Sequence, residues 1–223
     1  MAFTFKTWNL QQKKLRMELE DPGQHAKAIS LCLEQHGWTH ESAVWPAPSP
    51  TFTDLLWKNL SEQAARRIPL KGEHSIAWTY WHLARIEDTA INLLVADSPM
   101  VFDQGDWKAK LIASPRHTGN GMPQAEIEVL SRQINLQALR DYRIAVGQRT
   151  CKIIQSLTPA RLSEKVLPED IHRVRQQGVV LPDAESLLDY WGRRTVRGLL
   201  LMPATRHNIV HINEALSLKK KFT

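Results

Sequence analysis

An all-helical fold is predicted by three features of this 223-residue sequence. Apolar residues recur at helical intervals over most of its length, alternating runs long enough for a half-buried strand are lacking, and four long helical stretches are separated by proline- and glycine-rich connectors. Four long helices with short ones between them, and no internal repeat, point to a bundle. A hydrophobic content of 43% over this length suffices for one buried core. The expectation is therefore a single domain over 1–223 with its core at about 22–218.

Taken in order, Asp21-Pro22 opens the first long helix as an N-cap acid followed by proline at the first helical position, and the helix runs to about His40. The stretch AVWPAPSPTF is a connector, and TDLLWKNLSEQAARR is a short helix capped by Thr53 or Thr51. The second long helix, HSIAWTYWHLARIEDTAINLLVA over 74–96, contains neither proline nor glycine. Residues 97–123, rich in Gly, Pro, Asp and Asn, form a long loop suited to cover one end. The third long helix spans about Pro123 to Leu157, and PEDIHRVRQQG is a short amphipathic helix with a glycine stop. The last region starts near Pro182-Asp183. It is kinked or restarted at Pro203, because proline removes a backbone donor and clashes with the preceding turn, and PATRHNIVHINEALSLKK completes it.

Composition narrows the function classes. No apolar run approaches the length of a membrane span, and the N-terminal segment lacks a signal peptide's apolar stretch and cleavage site. The expected location is cytoplasmic, with no membrane partner. The net charge of +6 arises from 29 Lys and Arg mixed with 23 acids. With a basic run only at Lys219–Lys221 and no nucleic-acid-binding motif, no nucleic-acid partner is expected. Cys32 and Cys151, the only cysteines, are far apart in the chain and read as small buried hydrophobes rather than a disulfide.

The residues that carry chemistry are histidines. His207 and His211 stand at i and i+4, so both imidazoles lie on one helix face and can reach a single ion. One face cannot surround an ion, and a further ligand has to come from another helix. His82 is the best candidate, set among apolar groups on the stripe Trp78, His82, Ile86 and Thr89. A buried imidazole needs a partner for each ring nitrogen, and a metal supplies one. The alternative for His82 is a core histidine bonded to a backbone carbonyl. His36 and His40 form a second i, i+4 pair. They either line the same cavity, as a fourth ligand or a proton relay, or complement the dipole at a helix C-terminus. His74 is two turns before His82, too far to share its ion easily. His25, His117 and His172 read as surface or loop residues.

The blocks HSIAWTYWHLARIED and LLMPATRHNIVHINEA resemble the two signature stretches of the DinB superfamily, within a likeness running from about His25 to Lys219. That superfamily includes bacillithiol S-transferases, mycothiol-dependent enzymes and members without a known reaction. The resemblance implies a four-helix bundle with an up-up-down-down path. It also implies a divalent metal held by His82 from the second helix and by His207 and His211 from a later one. Three nitrogens plus water make an open site, the arrangement of catalysis rather than of structure. Zinc is the expected ion; nickel, iron and manganese are alternatives, because imidazoles select weakly among them.

Glu214, three residues beyond His211 on the same face, is the candidate catalytic residue. It can act as a general base on water or orient a ligand, or else pair with a lysine or Arg206. Glu87 and Asp88 are the other nearby acids, and the adjacent Arg85 predicts an intrahelical ion pair. Trp38, Trp45, Trp78, Trp81 and Trp191 are core residues first and a pocket wall second. The function implied is that of a metal-dependent thiol S-transferase or small-molecule hydrolase. Its partners would be a small-molecule substrate, a low-molecular-weight thiol supplied from outside the chain, and a second copy in a homodimer. The competing expectation is a non-catalytic metal-binding or stress-response bundle.

Overall fold

The computed structural model describes residues 4–46, 50–70, 73–112 and 114–222. Residues 47–49 of the proline-rich connector lie outside them. The chain is all-α: no strand forms among the described residues, and the one extended pairing is an isolated bridge between Lys165 and Thr195. No helix among the described residues is long and apolar enough to cross a membrane.

The first helix, α1 (Phe5–Glu20), precedes the expected start at Asp21. Thr4 caps it, and Trp8, Gln12, Leu15 and Leu19 form its buried face. Asp21 and Pro22 shape a 3₁₀ turn that leads into α2 (His25–Trp38). The predicted short helix divides into α3 (Phe52–Trp57) and α4 (Glu62–Arg66). Thr51 and Asp54 form a reciprocal capping box on α3, and Asn59 at positive φ turns the chain before α4. Next comes α5 (Ile76–Glu87), which continues as a π-helical segment over Asp88–Val95.

The expected loop at 97–123 holds a 3₁₀ turn, Val101–Asp103, and α6 (Trp107–Leu111). The third long helix is broken into α7 (Gln124–Gln133) and α8 (Leu136–Ser156), because Asn135 caps a new helix by accepting from Ala138 N at 3.0 Å. Then follow α9 (Pro159–Ser163), α10 (Pro168–Gln176), α11 (Glu185–Gly192), α12 (Val196–Leu201), a π-helical turn over Met202–Arg206, and α13 (His207–Phe222).

Helix α5 is the centre of the packing. It is buried along its whole length and lies against α8, α13, α4 and α7, while α2 packs on α1 and α8. A helix buried all round has to satisfy its polar side chains internally. Arg85 and Asp88, both fully buried, do so as the expected ion pair at 3.2 Å. The Asp88 carboxylate also accepts from Tyr142 Oη at 2.6 Å and from the amides of Val101 and Phe102 at 2.8 and 2.9 Å. Arg85 donates to Tyr142 Oη at 2.8 Å and to the carbonyl of Arg116. This network ties Val101, Phe102 and Arg116 of the 97–123 segment to α5.

Candidate metal centre

Two helices bring three imidazoles together. Ser75 caps α5 by accepting from Trp78 N at 3.0 Å, and His82 sits mid-helix, 3% exposed. The π-helical turn at Pro203 supplies the other side. Proline cannot donate to the helical ladder, and carbonyls of the turn before it accept from side chains as well. Thr205 Oγ1 donates to Leu200 O at 2.9 Å, and Gln12 Nε2, reaching from α1, donates to Leu201 O at 3.0 Å. The helix therefore passes Pro203 without stopping, and α13 begins with its histidine face turned toward α5.

One ligand-capable atom from each of His82, His207 and His211 lies within 4.8 Å of the others. His82 Nε2 and His207 Nε2 are 3.2 Å apart. Two nitrogens bound to one ion at about 2.0–2.1 Å across a tetrahedral angle would be separated by about 3.3–3.4 Å. His82 Nδ1 must donate, since its partner 2.6 Å away is the Thr118 carbonyl; the unprotonated Nε2 is then left for an ion. His211 Nδ1 lies 2.7 Å from Glu214 Oε2, the geometry of a carboxylate that fixes a ligand's tautomer. Glu214 thus faces the ring and not a lysine or Arg206. His207 Nδ1 is buried with no partner. The residues present fit a divalent transition ion.

Burial presses the His82 ring down to about 3 against the opposing Thr118 bond, and His211 and His74 lower it further. Burial also holds His207 well below its ordinary value, reinforced by His82 and His211. Both rings are accordingly neutral at physiological pH, the form that binds metal.

A cavity of about 450 Å³ opens on the three rings, bounded by His74, Trp78, Gly119, Asn120, Met122 and Glu214 among others. His74 stacks on Trp78 at 3.8 Å, and Trp78 stacks on His82 at 4.9 Å. A second cavity of about 220 Å³ shares Asn120 and His207 with the first; Ile86, Leu187, Tyr190, Trp191, Met202 and Pro203 complete its wall. Trp38, Trp78, Trp81 and Trp191 are buried, and Trp45 is half-buried.

His36 and His40 do not line the cavity beside His82. Both are fully buried and gather on Glu87, with His36 Nε2 2.7 Å from Oε1 and His40 Nε2 3.2 Å from Oε2. Burial opposes charge on His36, but Glu87 and Cys151 outweigh it and raise the ring to about 10. Burial takes His40 down to about 4, with His36 and Arg143 adding to the effect against the pull of Glu87. Cys32 and Cys151 are buried free thiols, and burial lifts Cys32 to about 12, helped by Cys151; it is no nucleophile. His117 is in the loop as expected but is buried, its Nδ1 accepting from Gly119 N at 3.1 Å.

Sequence reasoning missed Thr118 and Gly119, which belong to the wall that orients His82, and it missed Glu87 as the partner of His36 and His40. A backbone carbonyl leaves no trace in residue type. The glycines at 119 and 121, both at positive φ, are the available signal. No curated protein matches the chain at a significant level. A family model described as the DinB superfamily matches residues 51–215, a span that holds His82, His207, His211 and Glu214. With well over half its length matched, the chain belongs to the DinB superfamily.

Proposed function

We propose that the protein is a metal-dependent enzyme acting on a small molecule, as a thiol S-transferase or a hydrolase, with His82, His207 and His211 as its metal ligands. The observation that carries this is the convergence of three imidazoles on an open cavity of about 450 Å³. Among the described residues no fourth His, Cys, Asp or Glu joins that group, which leaves coordination positions for exogenous molecules.

A divalent ion supplies Lewis acidity there, enough to acidify a low-molecular-weight thiol or a water molecule toward neutral pH. The chain's residues do the rest. Thr118 and Glu214 hold the outer protons of His82 and His211, so each ring keeps one orientation and one tautomer. Trp78 and Met122 give the cavity apolar walls, and Asn120 offers an amide to a polar substrate group. Since both cysteines are buried, the thiol of an S-transfer comes from a cosubstrate.

The test is titration of the cobalt-loaded protein with small thiols, followed by absorption. A thiolate-to-cobalt charge-transfer band that saturates with thiol, and is lost in His207→Ala while the fold persists, supports S-transfer. With no band and no ester or amide hydrolysis, the ion would only tie helices together.

A further inference from the structure

We infer that His36, His40 and Glu87 form a second metal site, fully buried between the helices, for a divalent first-row ion such as zinc. The ligand atoms of these three residues lie within 4.8 Å of one another, and all three side chains are fully buried. Two imidazoles and a carboxylate make a donor set suited to such an ion.

His40 shows what the cluster lacks. Its Nδ1 lies 3.0 Å from the His36 carbonyl, which can only accept, so Nδ1 carries the proton. With Nε2 unprotonated, the form in which it could hold an ion, its lone pair faces Glu87 Oε2, 3.2 Å away, and Nε2 makes no hydrogen bond. A lone pair facing a carboxylate oxygen in a dry interior is repulsive unless a cation joins them. In the metal-free cluster the charge opposite Glu87 comes from His36, 2.7 Å from Oε1, whose proton an incoming ion would displace; Arg143 donates to Thr39 O at 3.0 Å and makes no hydrogen bond to Glu87.

The surroundings are shaped for the purpose. Helix α8 carries glycine at 147, where a Cβ would lie 2.6 Å from His40 Cδ2 and 3.1 Å from Nε2. A glycine inside a helix costs about 0.5–1 kcal/mol relative to alanine, and here it admits the ring. Cys151 Sγ, 3.5 Å from His36 Nδ1, occupies the outer side of that ligand, and Asn208 Nδ2 donates to Glu87 Oε2 at 2.7 Å. The ion would tie the end of α2 to α5 and, through Asn208, to the helix carrying His207 and His211. No described cavity is lined by these three residues, so the ion would enter during folding and exchange slowly.

The experiment counts zinc in untagged protein made in zinc-supplemented medium, before and after native dialysis against EDTA. Wild type is expected to carry two ions per chain, one EDTA-labile and one released only on denaturation. His207→Ala/His211→Ala should keep the resistant ion alone. Adding Glu87→Gln or, as a second route, His40→Ala should abolish it. Absence of the resistant ion from the double variant, or its persistence in both added variants, overturns the inference. The labile ion reports separately on the three-imidazole site.

Discussion

Gly119→Ala tests how the 97–123 wall governs His82. Gly119 has φ +93, and a Cβ there would lie 2.6 Å from Trp81 Cζ3 and 3.0 Å from Trp78 Cζ2. Neither ring can swing away, because both are buried. Trp81 Nε1 donates to Ser114 Oγ at 2.9 Å, and Trp78 Nε1 points at Met122 Sδ at 3.1 Å. The backbone must retreat instead, drawing the neighbouring Thr118 carbonyl from His82 Nδ1. The unfavourable φ costs about 1–3 kcal/mol and overpacking about 1–3 kcal/mol, giving about 2–6 kcal/mol for a segment that stays in place. Loss of the partner orienting a ligand lowers metal affinity about 10- to 100-fold. Urea unfolding of metal-free protein and zinc competition against a chromophoric chelator read the two effects. A variant with stability and affinity both at wild-type levels would refute the reasoning.

Other substitutions separate the roles of neighbouring groups. Glu214→Gln, at an exposed position, should weaken zinc binding about 10- to 100-fold and leave the urea midpoint nearly unchanged, whereas a purely surface role would leave affinity intact. Asp88→Ala strands Arg85 in the core and removes the acceptor of two loop amides; a loss of about 3–5 kcal/mol in urea unfolding is expected. In metal-free protein, His40 at about 4 and His82 at about 3 lie below their unfolded value near 6.5. Their neutral burial therefore stabilises the fold above about pH 6.5, and stability is lost as pH falls toward 4, by about 1.4 kcal/mol per pH unit for each ring. His36, held up to about 10, is charged in both states through that window and adds no slope; its contribution is present below about pH 6.5 and fades as pH rises through 10. Urea midpoints that stay flat from pH 7 to 5 would contradict this.

Helical periodicity made the all-α fold legible, and the i, i+4 spacing brought His207 and His211 to one face before any coordinates. What failed to show depended on distant partners. Helix α1 lies before the expected start at Asp21; its core position 12 is a glutamine, whose partner, the carbonyl of Leu201, is far away in the chain. Asn135 breaks the single helix expected over 123–157, and its backbone N–H donates to Leu111 O, a partner distant in the chain. Residues 36, 40, 87 and 208 are separated in the chain, and no local pattern announces that they meet. Thr118 orients His82 through its backbone, to which residue type is blind.

The central claim is tested most directly by anomalous diffraction at the zinc edge from crystals of untagged, zinc-loaded protein. The account predicts a peak at bonding distance, about 2.0–2.1 Å, from one nitrogen each of His82, His207 and His211. A fully zinc-loaded crystal with no density among those three rings would contradict it.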